Sequence, residues 1–313
     1  MSKEIWYTCR VDSRFQNLFE WLESMSGTRK IKVLSGIRGV GKSTLLHQWC
    51  ARLLERGVRD DRIIYVNAEE PALRHVRTGE DFIAYLKTQL PGGEQPCILF
   101  VDEPSSFPDY ESGFGELLRR RNIDIYVSIS SRRLLNEGLA DYLNGAVAMR
   151  EIVPPPEGIA EPEDRSRARW NEILLRDVLS DPHLTSAPLA EDIAAYLSDH
   201  VGDPISLRTI AAEVSPPGRM ISPNTAGAYL TALCNAHIVE KCLRWNAGAD
   251  EPMKTGYRVF FADMSLRTAC FGPAPTNEDA RAAMNGRWLA ARNQAEYVVL
   301  PELVTFDSAF MRR

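Results

Sequence analysis

The sequence predicts an α/β domain with a parallel sheet and flanking helices, followed by a mainly helical domain. Three observations support this fold class. A glycine-rich turn joins a strand pattern to a helix pattern early in the chain. Short apolar runs then alternate with helix patterns as far as a proline-rich stretch, and beyond it the apolar spacing becomes helical. Alternating strands and helices favour parallel strands with right-handed crossovers.

The glycine-rich turn has the spacing of a phosphate-binding P-loop, which predicts a P-loop NTPase sheet. Gly36 and the run Gly41, Lys42, Ser43 match G-x-x-x-x-G-K-[ST] position for position. Glycine tolerates backbone angles that let successive N–H groups surround a polyphosphate. Lys42 would reach the β- and γ-phosphates, and the following helix would direct its positive dipole end at the same anion. The predicted nucleotide-binding residues of this loop are Gly36, Arg38, Gly39, Val40, Gly41, Lys42, Ser43 and Thr44.

Two acidic residues end the third predicted strand. The apolar run from Cys97 leads directly into Asp102 and Glu103, about sixty residues after the P-loop. A buried central strand of this kind delivers acids to the edge of a parallel sheet where ligands bind. In P-loop ATPases the first acid holds Mg²⁺ and the second polarises the attacking water. We therefore predict that Ser43 and Asp102 bind the metal and that Lys42 and Glu103 are catalytic.

Polar side chains also end the neighbouring predicted strands. Asn67, Glu69 and Glu70 follow the second strand, whose continuous apolar run predicts burial on both faces. Ser128 and Ser130 end the fourth strand. Hydroxyl groups at this position would sense the γ-phosphate, and small polar residues at a strand end are an equally good interpretation.

Composition restricts the class of protein. Hydrophobic residues make up 44% and charged residues 25%, as in soluble globular proteins. The sequence has neither an apolar run long enough for a membrane span nor the pattern of a secretory leader, so we expect a cytoplasmic protein without a membrane partner. A net charge of −5 argues against nucleic-acid affinity over the whole surface. The six cysteines lack metal-binding spacing and are typical of buried thiols in a reducing compartment.

The second half has the pattern of three helices followed by two strands. The helix patterns cover residues 189–200 and stretches that follow Ser206 and Ser222, and strand-like runs lie at residues 238–245 and 257–262. Three helices and a β-hairpin predict a winged helix-turn-helix domain. No Lys or Arg lies between Ser222 and Ala236, so DNA binding is weakly supported.

The predicted domain boundaries follow from these patterns. They are residues 1–155 for the P-loop domain, 156–185 for a linker and connecting helix, 186–263 for the winged helix-turn-helix domain, and 264–313 for a C-terminal remnant.

Both halves resemble the AAA-like P-loop ATPase family (AAA_14), whose members join an ATPase core to a winged helix and a C-terminal domain of unknown function, DUF4143. In the first half the resemblance rests on I-K-V-L-S-G-I-R-G-V-G-K-S-T-L-L, I-I-Y-V-N-A-E-E, I-L-F-V-D-E and D-I-Y-V-S-I-S-S. In the second half it rests on P-I-S-L-R-T-I-A-A-E-V, S-P-N-T-A-G-A-Y-L-T-A-L and Y-R-V-F-F-A-D-M-S-L-R. It implies ATP and Mg²⁺ as ligands and places Ser130 in the sensor segment.

The chain departs from the family pattern at three places. Ser128-Ile129-Ser130 replaces the usual Thr-Gly-Ser after the fourth strand, and the nuclease-like C-terminal domain is shortened. Ala146 follows Leu143-Asn144-Gly145, where family members place an arginine that would serve as an arginine finger. Because such a finger contributes about 10³ to 10⁵ in rate, its loss favours slow turnover. The candidate replacements are Arg132, Arg133 and Arg150.

Two functions stay open from the sequence. The first is an ATPase that hydrolyses MgATP slowly and thereby moves its winged-helix domain. The second is a non-hydrolysing, ATP-liganded adaptor or DNA-binding regulator. The lack of a guanine-reading N-K-x-D motif favours ATP over GTP. A homo-oligomer and a protein partner are further expectations, since ATPases of this class often complete their sites between subunits.

Overall fold

The computed structural model describes residues 15–93, 95–107, 110–132, 146–154, 159, 161–215, 218, 220–246, 251–272 and 297–299. The chain divides into two compact units, Met1–Ile152 and Val153–Arg313. Within the described ranges, none of the helices reaches the length and apolarity that a bilayer crossing requires. Arg133 and the Leu143-Asn144-Gly145 stretch lie outside the described residues.

The first unit is built on a parallel sheet. Its described strands are β1 (Ile31–Ser35), β2 (Ile63–Asn67), β3 (Cys97–Asp102), β4 (Ile123–Ile129) and β5 (Val147–Glu151). Its described helices are α1 (Gln16–Met25), α2 (Lys42–Glu55), α3 (Gly79–Gln89) and α4 (Glu111–Arg119). Every strand pair is parallel and the strand order is β2-β3-β4-β1-β5. The predicted P-loop type of parallel sheet with flanking helices is confirmed.

The two faces of this sheet have different cores. Side chains of residues paired in register lie on the same face, so Tyr65, Phe100 and Tyr126 form an aromatic row across three strands. Their ring centroids are 6.1 and 5.0 Å apart along the row, and Trp49 of α2 covers it. The opposite face is mainly aliphatic and packs against α3 and α4, with Val33, Leu99, Val101, Ile125, Val127, Phe82, Leu86 and Phe114 in its core.

β2 is an edge strand, paired only with β3 in the described sheet. Ile64 and Tyr65 are partly exposed, so the prediction that this strand is buried on both faces is wrong. The apolar run reflects contacts with residues above and below the sheet, such as the packing of Ile64 on the aliphatic core. An apolar run in the sequence therefore does not show how many strands lie beside β2.

The second unit is mainly helical. Its described helices are α5 (Glu163–Ile173), which continues into a π-helical turn (Leu174–Val178), α6 (Ala187–Asp199), α7 (Leu207–Glu213), α8 (Pro223–Asn235) and α9 (Met264–Phe271). The strands β6 (Val239–Asn246), β7 (Glu251–Phe261) and β8 (Tyr297–Val299) form an antiparallel sheet with β6 in the centre. Ser186, Ser206 and Ser222 cap the N-termini of α6, α7 and α8 with their side chains.

The segment predicted as a linker and connecting helix contains α5, whose side chains are partly in the core of the second unit. Ser166 and Arg169 are buried. Arg169 Nη2 donates to Asp263 Oδ2 at 2.7 Å. Asp263 also caps α9 by accepting from the backbone N–H groups of Ser265 and Leu266. The charged residues of this segment therefore include a structural ion pair as well as solvated residues.

Candidate functional site

The loop between β1 and α2 has the backbone that a phosphate-binding turn requires. Gly36, Gly39 and Gly41 have φ of 153°, 85° and 108°, values that residues with a Cβ rarely adopt. A Cβ at Gly36 would lie 2.5 Å from the backbone oxygen of Ile152, and one at Gly41 would lie 2.8 Å from the ring of Phe15. Glycine is therefore needed at these two positions for space as well as for backbone angle. Because α2 begins directly after Gly41, the positive end of its dipole lies at the loop.

Lys42 is the centre of a buried polar cluster. Its Nζ donates to the carbonyl oxygens of Gly36 and Ile37 at 2.9 and 3.3 Å, and to Ser130 Oγ at 2.8 Å. The same nitrogen lies 3.2 Å from Glu103 Oε1. Lys42 is only 4% exposed, so these oxygen atoms replace water around its charge.

Glu103 forms the acidic side of the cluster. It has φ of 54°, the left-handed region that residues other than glycine seldom occupy. The backbone N–H of Ser130 donates to Glu103 Oε2 at 2.9 Å and the Ser130 hydroxyl donates to Oε1. Burial raises the pKa of Glu103, but the charges of Lys42 and Arg38, together with the hydrogen bond from Ser130, outweigh it and lower the pKa below its ordinary value. Glu103 is therefore ionised at neutral pH.

Asp102 is held beside Ser43 by hydroxyl groups. Ser43 Oγ donates to Asp102 Oδ1 at 3.1 Å, and the Ser128 hydroxyl contacts the same oxygen. Tyr65 donates from its phenol to Asp102 Oδ2 at 2.8 Å. Burial, followed by the charge of Asp102, raises the pKa of Tyr65 well above its ordinary value, so the phenol keeps the proton that it donates.

Ser43 and Asp102 fit a magnesium ion. Mg²⁺ prefers oxygen ligands and is bound in proteins through one or two side chains together with substrate phosphates. A hydroxyl and a carboxylate 3.1 Å apart, next to the glycine loop, supply that donor set.

Arg38 and Glu69 form an ion pair at the edge of this site. Arg38 Nη1 donates to both carboxylate oxygens of Glu69, at 3.0 and 3.1 Å. Glu69 follows the end of β2, where Asn67 is in register with Asp102. The pair therefore belongs to the same edge of the sheet as the two acids. Arg38 and Glu69 can each be recognised in the sequence, but their distance along the chain gives no sign that they pair.

The structure brings five of the predicted site residues together, namely Lys42, Ser43, Asp102, Glu103 and Ser130. The other loop residues surround them: Val40 is buried, whereas Gly39 and Thr44 are exposed. Ser128, considered as a phosphate sensor, contacts the Asp102 carboxylate instead.

Two of the three candidate replacements for the arginine finger contact other groups. Arg132 forms an ion pair with Glu151 at the end of β5. The guanidinium of Arg150 lies 5.4 Å from the centroid of the Trp21 ring.

Sequence reasoning missed Tyr65 and His47. Tyr65 is in register with Phe100, which lies two residues before Asp102 on β3. Because side chains two residues apart on a strand share a face, Tyr65 lies on the same face of the sheet as Asp102. His47 lies one helical turn after Ser43, and its ring centroid is 4.6 Å from that of Tyr65. Burial lowers the pKa of His47 despite the opposing charge of Asp102, so the ring is neutral at physiological pH. Only the docking of α2 on the sheet reveals this contact.

Comparison with known families agrees with this geometry. Residues 28–155 match a family model described as AAA domain (AAA_14). The match supports an AAA-like P-loop ATPase family for this unit. Residues 156–277 match a domain of unknown function, DUF8612, where the sequence resemblance named DUF4143. The DUF4143 assignment thus stays a prediction.

Individual proteins are similar at lower identity. A Haemophilus influenzae protein described as an uncharacterized protein is 23% identical over 297 residues, which cover 84% of this chain and 74% of that protein. Cdc6p from Pyrobaculum aerophilum is 13% identical, over 92% of this chain and 99% of that chain, with a TM-score of 0.34. PCH-2 from C. elegans is 14% identical, over 74% of this chain and 71% of that chain, with a TM-score of 0.36. Structural similarity at this level carries no inference about function.

Proposed function

We propose that this protein binds MgATP and hydrolyses it slowly, and that the nucleotide state moves a winged-helix domain in the second unit. The observation that carries the proposal is the buried cluster of Lys42, Ser43, Asp102 and Glu103 beside the glycine loop. Phosphoryl transfer to water needs a cation, a pair of metal-binding oxygens and an ionised carboxylate, and this cluster supplies all three at a helix N-terminus.

The phosphates would bind by exchange of partners at Lys42. Its ammonium now donates to two loop carbonyls and to Ser130. Phosphate oxygens carry more negative charge than these acceptors, so charge-assisted hydrogen bonds to the β- and γ-phosphates would replace them. Ser43 and Asp102 would hold Mg²⁺, which supplies charge neutralisation at the phosphate oxygens.

Glu103 would act as the base for the attacking water. The water oxygen forms a bond with the γ-phosphorus while the bond from phosphorus to the β–γ bridging oxygen breaks, and the water proton passes to the Glu103 carboxylate. Before nucleotide binds, the lowered pKa of Glu103 keeps the carboxylate ionised at neutral pH. Loss of the contacts with Lys42 and Ser130 would raise this pKa and make Glu103 a stronger base. Its current partners, Lys42 and Ser130, are also the groups that would contact the γ-phosphate, so nucleotide binding would turn Glu103 from an ion-pair partner into a base.

The test is the Glu103→Gln variant. Phosphate release should fall by about 10² to 10⁴-fold, because the amide cannot accept the water proton. The affinity for a fluorescent ATP analogue with Mg²⁺ should stay within a few fold of wild type. Glu116→Gln is the matched control, since Glu116 forms an exposed ion pair with Lys87 on α3. Unchanged turnover in Glu103→Gln would refute the proposal.

The positions of Arg132 and Arg150 favour a second candidate, a non-hydrolysing ATP-liganded adaptor or DNA-binding regulator, because both arginines contact other groups. This alternative predicts tight MgATP binding with no phosphate release. A DNA contact would need basic residues outside α8, which carries no Lys or Arg. Phosphate release measured with and without DNA separates the two functions.

The winged-helix assignment for residues 186–263 is supported by the connection between α6 and α7. Ile205, in that connection, donates its backbone N–H to the Tyr257 carbonyl of β7 at 2.9 Å, as expected where the short strand of a winged helix meets its hairpin. We also propose a homo-oligomer, a protein partner, a cytoplasmic location and a DUF4143-type region at residues 264–313.

A further inference from the structure

The third residue of the phosphate-binding loop is an arginine whose charge is balanced by Glu69 after the end of β2. Arg38 follows Gly36 and Ile37, on the part of the loop that would wrap the β- and γ-phosphates. Its ion pair with Glu69 is partly buried, with side-chain exposures of 12% and 19%. A bond from Ala68 N to Asp102 O, 2.8 Å long, fixes the end of β2 beside the acids.

The guanidinium of Arg38 and the side chain of Ser130 are held on opposite sides of β3. Ser130 follows β4, which lies on one side of β3, whereas Glu69 follows β2 on the other side. The guanidinium of Arg38 is therefore held at the β2 side of the site, whereas Arg132 and Arg150 belong to the β4 and β5 side of the sheet.

We propose that Arg38 is a catalytic residue that supplies the charge of the missing arginine finger from within the same chain, and that Glu69 restrains it until a γ-phosphate competes for the guanidinium. This inference rests on the proposed ATPase function. As the water oxygen bonds to the γ-phosphorus and the bridging bond breaks, Arg38 neutralises charge on the γ-phosphate oxygens and transfers no proton. The planar guanidinium suits this role because its N–H groups match two oxygens of a phosphate.

The experiment compares ATP hydrolysis with the affinity for ADP, measured with and without aluminium fluoride as a mimic of the transferring phosphoryl group. In Arg38→Ala, single-turnover hydrolysis should fall by about 10³-fold and the affinity for ADP–aluminium fluoride should fall in parallel. The affinity for ADP by itself should change by less than about threefold, because the finger interacts only with the transferring group. Arg59→Ala, which removes an exposed arginine from the same unit, should change none of these values.

Two further variants sharpen the test. Arg38→Lys keeps the charge but not the planar fork, so we expect partial recovery of hydrolysis relative to Arg38→Ala. Glu69→Gln removes the competing anion, and hydrolysis should rise by about threefold or more. Melting temperatures establish whether each variant folds. If Arg38→Ala does not fold, the same measurements on Arg38→Lys provide the test.

The outcomes separate this inference from the proposed function. A wild type that releases no phosphate from MgATP overturns the proposed function and this inference together. A hydrolysing wild type with unchanged hydrolysis in Arg38→Ala overturns this inference alone. Equal losses of affinity for ADP and for ADP–aluminium fluoride show a structural role and also overturn it, whereas a fall in hydrolysis in Glu69→Gln overturns the restraining role of Glu69.

Discussion

Each unit of the molecule contains a buried pair of opposite charges, and the two pairs differ in whether their partners can be exchanged. In the first unit Lys42 and Glu103 are 4% and 6% exposed, and in the second Arg169 and Asp263 are 7% and 0% exposed. By burial and charge the pairs look alike. A buried ion pair by itself is weak grounds for assigning either stability or function.

The surroundings of each pair decide its role. Asp263 accepts backbone N–H groups of Ile159, Ser265 and Leu266 as well as the guanidinium of Arg169, so its oxygens are fixed by the chain itself. Lys42 instead donates to loop carbonyls and a serine hydroxyl beside a glycine loop at a helix N-terminus. Phosphate oxygens can replace those acceptors without unfolding a helix. A buried charge pair therefore suits ligand binding when its partners are exchangeable.

The largest effect is expected from Asp263→Ala in the second unit. Loss of this carboxylate leaves Glu161, 2.7 Å from Arg169 Nε, as the remaining carboxylate beside the buried Arg169 guanidinium and removes the cap of α9. The free energy of unfolding should therefore fall by about 3 to 5 kcal/mol. Urea denaturation measures this change, and MgATP affinity should stay at the wild-type value if the protein remains folded. Asp192→Ala, an exposed position on α6, is the control. A loss below about 1 kcal/mol would remove the distinction between the two pairs.

A smaller effect is expected from Tyr65→Phe in the first unit. Without the phenol, Asp102 loses the donor that orients one of its two oxygens. The affinity for ATP in the presence of Mg²⁺ should fall by about tenfold, as for other groups that orient metal ligands, whereas affinity without Mg²⁺ should not change. Tyr126→Phe removes a similar bond, from Tyr126 to Asp124 Oδ2 at 2.9 Å, away from the metal-binding residues. Equal effects of both variants on Mg²⁺ dependence would contradict an orienting role for Tyr65.

The smallest effect concerns pH. Because the pKa of Glu103 in the folded protein is lower than its ordinary value of 4.5, ionised Glu103 stabilises the fold above that value and this stabilisation is lost as the pH falls through the lowered pKa. The difference in unfolding free energy between wild type and Glu103→Gln should therefore be constant from about pH 6 to 8 and shrink in acid below about pH 4.5. Denaturation at a series of pH values measures it. A difference that changes between pH 6 and 8 would show that Glu103 is protonated near neutrality.

The parts of the site whose members are neighbours in the chain can be read from residue spacing. The positions of Gly36, Lys42 and Ser43 in one loop, and of Asp102 and Glu103 at one strand end, follow from spacing and from the alternation of strand and helix patterns. These features are local, because a turn and a strand end are specified by adjacent residues.

The contacts between side chains that are distant in the chain depend on how the elements pack. The pairs Arg38–Glu69, Tyr65–Asp102 and Arg169–Asp263 depend on strand order, register and helix docking. The apolar runs of β2 and β3 look alike in sequence, yet one strand lies at the edge and the other inside the sheet. The periodicity of apolar residues shows which faces of a helix or strand are buried. Which elements become its neighbours depends on the packing of many elements at once. Those neighbours supply the charges and hydrogen bonds of the site.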